Sequence, residues 1–156
     1  MDPPPVAFQS ERGWLAVSDP VLSARVSAYH SAAAALLPPQ RVPATALAAV
    51  LMAIGQADRA IAAADVPGAH EALAGAQQVL SLLRASLNHE VGGALATNLD
   101  GVYVYLVSEL GRANIEKSRE RLAALIPLVT ELREAWQQAA DLELHGQVAA
   151  AGGGRR

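Results

Sequence analysis

The chain is predicted to be all-α: an antiparallel four-helix bundle with an additional N-terminal helix. Three observations carry this. Apolar residues recur at steps of three and four along most of the chain, which places them on one face of a helix. Prolines, glycines and capping residues gather at the borders of those segments. No run of β-branched and aromatic residues alternates as a strand requires.

Residues 1–18 read as an irregular arm, because Pro3, Pro4 and Pro5 open it and Gly13 and Ser18 interrupt it. Asp19 followed by Pro20 is a helix start: the carboxylate accepts orphan backbone donors and proline is harmless at the first helical position. Leu22, Val26, Tyr29, Ala33 and Leu36 then form a narrow apolar stripe over 19–37, and Pro38 and Pro39 end it. Two arrangements are open for this segment, a removable lid on a groove or a permanent fifth helix. A lid predicts that deleting residues 1–37 tightens partner binding; a fifth helix predicts that the deletion costs folding.

The bundle is expected over 43–145. Its first helix begins near Pro43 and turns Leu47, Val50, Leu51, Ile54, Ala57 and Ile61 inward. Asp65-Val66-Pro67-Gly68 reads as a turn. The next helix runs to about His89 with Ala72, Leu73, Ala76, Val79, Leu80, Leu83 and Leu87 on a face wide enough to meet two neighbours. A second turn falls at Val91-Gly92-Gly93. Leu95, Leu99, Val102, Tyr103, Leu106 and Leu110 mark the third bundle helix, with Asn114 as its stop, while Tyr105 lies about 200° round from Tyr103 and faces outward. Ser118 caps the last helix, which carries Leu122, Leu125, Ile126, Val129, Leu132 and Trp136, and Pro127 is expected to bend it. Residues 146–156, ending Gly-Gly-Gly-Arg-Arg, read as a flexible tail.

Composition narrows the function. Alanine supplies much of the 52% hydrophobic content, and with one Phe, two Trp and three Tyr the core must be thin. Twelve basic residues against fifteen acidic ones leave a net charge of −3 and no basic stripe, so nucleic acid is not an expected partner. The absence of Cys removes disulfides, thiol nucleophiles and thiolate metal sites, which favours a cytoplasmic location. Met1-Asp2-Pro3-Pro4-Pro5 does not resemble a signal peptide, and no stretch of about 18 uncharged apolar residues offers a membrane span. His30, His70, His89 and His145 fall at no metal-ligand spacing, and there is no Glu-x-x-His step of the kind a di-iron bundle needs. No catalytic residue, metal or cofactor is therefore assigned. The reading is a binding protein rather than an enzyme.

The run from Leu82 to Leu99, Leu-Leu-Arg-Ala-Ser-Leu-Asn-His-Glu-Val-Gly-Gly-Ala-Leu-Ala-Thr-Asn-Leu, resembles the centre of the flagellar secretion chaperone FliS family. There a Ser-Leu-Asp/Asn segment is followed by Gly-Gly, a spacer, Asn-Leu and a tyrosine-bearing helix. The similarity continues through Tyr103, Tyr105, Leu110 and Arg112-Ala113-Asn114 to Leu132-Arg133-Glu134-Ala135-Trp136, with Tyr29 like the tyrosine of the family's N-terminal arm. The family's Leu-Tyr-Asp-Gly-Ala run in the first bundle helix has no counterpart here.

The resemblance implies a cytoplasmic export chaperone that binds the disordered C-terminal segment of flagellin, prevents its premature polymerisation and assists delivery to the flagellar type III export apparatus. It also implies a partner surface around Leu83, Leu87, Leu99, Tyr103, Leu106 and Leu110. The alternative is a structural or regulatory interaction protein of the same bundle class that does not bind flagellin. Oligomeric state is not legible in the sequence.

Overall fold

The structure, a computed structural model, describes residues 39–152. The arm 1–18, the segment 19–37 with its stripe of Leu22, Val26, Tyr29, Ala33 and Leu36, and residues 153–156 lie outside the described residues. A 3-10 turn, Pro39–Arg41, leads into four helices: α1 (Val42–Ala62), α2 (Val66–Ala85), α3 (His89–Glu116) and α4 (Arg119–Gly152). Connections of two or three residues leave each helix little choice but to fold back on the one before it.

Polar pairs record the antiparallel register. Along α2 and α3, Gln77 Nε2 donates to the Val107 carbonyl at 2.9 Å, His70 meets Asn114 at 2.8 Å, and Arg84 pairs with Asp100. Along α1 and α4, Arg41 meets Asp141 at 3.1 Å and Arg119 meets Asp58 at 2.8 Å. The Asp58 and Asp100 carboxyls sit below their ordinary 3.8, chiefly through the hydrogen bonds from Arg119 and Arg84. Such solvent-facing pairs fix register more than they stabilise.

The core follows the predicted stripes. Leu47, Val50, Ile54 and Ala57 of α1 are fully enclosed, facing Leu73, Ala76 and Leu80 of α2, Leu106, Leu110 and Ala113 of α3, and Leu122, Leu125 and Val129 of α4. Among the described residues, eight of the twenty buried apolar ones are alanine, which is why the core is thin and the helices close together. α1 packs most extensively on α2 and α4, and α2 on α3. The α3–α4 contact is the least extensive of the four, so the bundle is most open along that seam. Among the described residues α1 is the one helix long and apolar enough to cross a membrane, yet it carries Asp58 and Arg59 and buries its apolar stripe against its neighbours.

Several helix ends differ from their sequence expectations, each for a local reason. Val66, Pro67 and Gly68 are not turn but the first turn of α2. Asp65 caps it by accepting from Gly68 N at 3.0 Å, and a side chain at 68 would strike that carboxylate. α2 stops at Ala85 rather than near His89, because Asn88 Oδ1 accepts from both Glu90 N and Val91 N and so begins the next helix there. The turn expected at the glycine pair is present: Gly93, at φ +49° and ψ −123°, leaves the helical conformation and kinks the chain between a short first turn, residues 89–92, and the rest of α3, and that φ is a value an L side chain resists.

Asn114 does not stop α3, which continues to Glu116 and ends in the left-handed Lys117. Ser118 caps α4 as expected, its Oγ accepting from Arg121 N at 3.2 Å. Helix α4 continues through Pro127; both Pro127 and Ala123, whose carbonyl loses its partner, are exposed to water. It also runs to Gly152, so the stretch from 146 that reads as a tail is helical over most of its length.

Ala64 ends the α1 connection at φ +57°, with Asp65 N reaching back to the Ala60 carbonyl at 2.8 Å. Left-handed backbone penalises a Cβ, so Ala64→Gly is expected to stabilise the bundle by roughly 0.5–1 kcal/mol. A urea unfolding midpoint at or below that of the parent protein would contradict this.

Candidate functional site

Register explains where a surface opens. Arg84, next to the end of α2, pairs with Asp100, so the part of α3 before Asp100 extends past the end of its neighbour. Its apolar side chains lose their cover there. Val91 and Leu95 are 86% and 66% exposed, although Leu95 continues the same helical stripe as the buried Tyr103, Leu106 and Leu110.

These residues border an open cleft of about 580 Å³ at this end of the bundle. One wall is α2 and the loop after it, with Leu83, Ser86, Leu87 and Asn88; the other is α3, with Val91, Gly92, Leu95, Ala96, Leu99 and Tyr103; Val42, Pro43 and Trp136 complete the lining. Its two polar loop residues are already engaged. Ser86 Oγ donates to the Leu83 carbonyl at 2.7 Å, and Asn88 is the α3 cap.

At the base, Trp136 Nε1 donates to Tyr103 Oη at 3.1 Å, so the indole closes one end of the cleft with its only polar atom satisfied. Burial pushes the Tyr103 hydroxyl above its usual pKa, with the Trp136 hydrogen bond opposing part of that rise. What the cleft presents to a ligand is therefore apolar side chain at helical spacing.

Of the residues expected on a partner surface, the structure brings Leu83, Leu87, Leu99 and Tyr103 together in this cleft. Leu87 and Leu99 are half-buried and accessible, while Leu83 and Tyr103 form its floor. Leu106 and Leu110 do not belong to it. Both are fully buried in the core, where α1, α2 and α4 cover the stripe that α3 carries. The sequence reading misses Val91 and Leu95 as surface residues. The legible signal is Asn88: a cap there ends α2 early and leaves the first turns of α3 beyond it. Tyr105 is 52% exposed and points away from Tyr103 as its position predicts, but it lies outside this cleft.

Comparison with known proteins places this architecture. The chain is 29% identical over 100 residues to the flagellar secretion chaperone FliS of Vibrio cholerae, covering 64% of this chain and 74% of that protein. It is 35% identical over 75 residues to its Salmonella typhimurium counterpart, covering 47% and 56% of the two chains, and 32% identical over 87 residues to that of Bacillus subtilis, covering 56% and 64%. The chain thus spans between about half and three quarters of the length of these relatives. The family model described as flagellar protein FliS matches residues 22–143, which takes in α1, α2, α3, and α4 as far as Glu143. With more than three quarters of its length matched, the chain belongs to the FliS family of flagellar proteins.

Proposed function

We propose that this protein is a flagellar export chaperone that binds the disordered C-terminal segment of flagellin in the cytoplasm, prevents its premature polymerisation and assists its delivery to the type III export apparatus. The family's relatives are secretion chaperones, not enzymes, and the protein acts by holding rather than by chemistry. The single observation that carries the reading is the cleft. Exposed Val91 and Leu95 lead into half-buried Leu87 and Leu99 and down to Tyr103 and Trp136, a graded apolar surface that a partner helix fills with side chains at i, i+3 and i+4.

Energetics favour an apolar contact of this size. Ordering a disordered segment costs free energy, and each large aliphatic side chain fully removed from water returns about 1.5–3 kcal/mol. Calorimetric titration with flagellin, and with flagellin lacking its C-terminal segment, tests the reading. Binding is expected for the first and not for the second. Equal binding, or none to either, rejects it and leaves an interaction protein with a different partner.

A further inference from the structure

Helix α3 opens with a turn that packing scarcely holds: His89, Glu90 and Val91 are all exposed. Hydrogen bonds to one residue hold it instead. Asn88 Oδ1 accepts from Glu90 N and Val91 N, both at 3.1 Å, and the Asn88 carbonyl accepts from Gly92 N at 2.8 Å. The turn is a small closed unit, complete before the chain reaches Gly93.

The two glycines are needed for different reasons. At Gly93 a Cβ would meet nothing within 4 Å, so space is free and the backbone conformation alone calls for glycine. Its φ +49° and ψ −123° are those of the first central residue of a type II′ turn. At Gly92 a Cβ would stand 2.8 Å from the Cβ of Ala96, which is buried and has little room to give way. In an uninterrupted helix, Cβ atoms four residues apart are about 5–6 Å from each other, so this close approach is a product of the kink. Both glycines thus serve the kinked conformation, and alanine at either position favours a straight helix.

What the kink moves is Val91. At about 100° per residue, an uninterrupted α3 would turn Val91 about 90° away from the middle of the stripe formed by Leu99, Tyr103, Leu106 and Leu110. Gly92, which has no side chain, would then stand near that middle. In the structure Val91 lines the cleft instead, and at 86% exposure it contributes almost nothing to the packing of the described residues.

We propose that Gly92 and Gly93 are positioning residues of the cleft: the kink they permit holds the capped turn 88–92 so that Val91 stands on the cleft wall as an apolar contact for the partner helix. The inference rests on the flagellin reading for its ligand and adds which residues shape the site. Straightening α3 leaves the residues after the kink in place and takes that one contact away.

The test uses the full chain, in which the absence of native cysteine allows labelling at chosen sites. Spin labels at Val91→Cys and at Met52→Cys, 67% exposed on α1, report where the turn stands without any partner. Gly92→Ala and Gly93→Ala are each expected to shift the mean distance between the labels by several Å. Unchanged distances in both overturn the proposal. Titration with the flagellin C-terminal segment reads the consequence. Val91→Ala is expected to weaken binding about threefold to tenfold in the parent background, and by less than about twofold in the Gly93→Ala background, where the contact is already lost. Equal losses in the two backgrounds also overturn the proposal, since a glycine needed only for folding gives additive effects. Where Gly93→Ala does not melt cooperatively, Gly92→Ala takes its place in the cycle, because it opposes the kink by contact rather than by dihedral angle. A parent protein that binds no flagellin tail rejects the flagellin reading instead, and the label distances then decide the position of Val91 by themselves.

Discussion

Leu106→Ala is expected to lower the unfolding free energy by about 2–5 kcal/mol, because the side chain is fully enclosed and its loss leaves a cavity among closely packed helices. That is a large share of the roughly 5–15 kcal/mol a domain of this kind possesses. Leu106 lies with Leu110, Val129 and Leu125 in the core shared by α1, α2, α3 and α4, and it has no access to the cleft. The variant that remains folded should therefore bind a flagellin tail as the parent does. Urea unfolding checks the first half and calorimetry on the folded fraction checks the second. A stability loss under about 1 kcal/mol would mean that the core closes differently around α3.

Leu95→Glu should behave in the opposite way. The position is 66% exposed on the first turns of α3, so folding stability should change by no more than about 0.5 kcal/mol. Binding of the flagellin C-terminal segment should weaken by about 1–3 kcal/mol, as for loss of an apolar anchor, since the new carboxylate must be stripped of water on the cleft wall or hold the partner away. Unchanged affinity in a cooperatively folded Leu95→Glu protein would remove the cleft as the partner site. The two variants together separate core from surface on one helical stripe, which neither does alone.

That stripe shows where sequence reasoning reaches its end. Leu95, Leu99, Tyr103, Leu106 and Leu110 have one periodicity, and periodicity states only that they share a face. Whether a position on that face is core or surface depends on what stands opposite, which is set by where α2 ends. The decisive group is the Asn88 side chain: by accepting from Glu90 N and Val91 N it starts α3 early, ahead of the kink at Gly93. The family resemblance implies Leu106 and Leu110 on the partner surface, whereas the structure encloses both in the core. Trp136 is a related case. Its helical position marks it as core-facing, and the structure adds that its indole N–H is spent on Tyr103 at the cleft base.

Much was determined by the sequence alone. Helical periodicity, the capping residue Ser118 and the scarcity of large aromatics specify an all-α bundle with a thin alanine-rich core, and the ordered run from Leu82 to Asn114 with Trp136 specifies the family. These are local properties, written into spacing and side-chain type, and need no knowledge of neighbours. The tertiary structure decided the rest: the early end of α2, the exposure of Val91 and Leu95, the enclosure of Leu106 and Leu110, and the extension of α4 to Gly152 beyond the start of α1. Each of these follows from the relative lengths and register of antiparallel helices, because a side chain is buried only where another helix runs beside it.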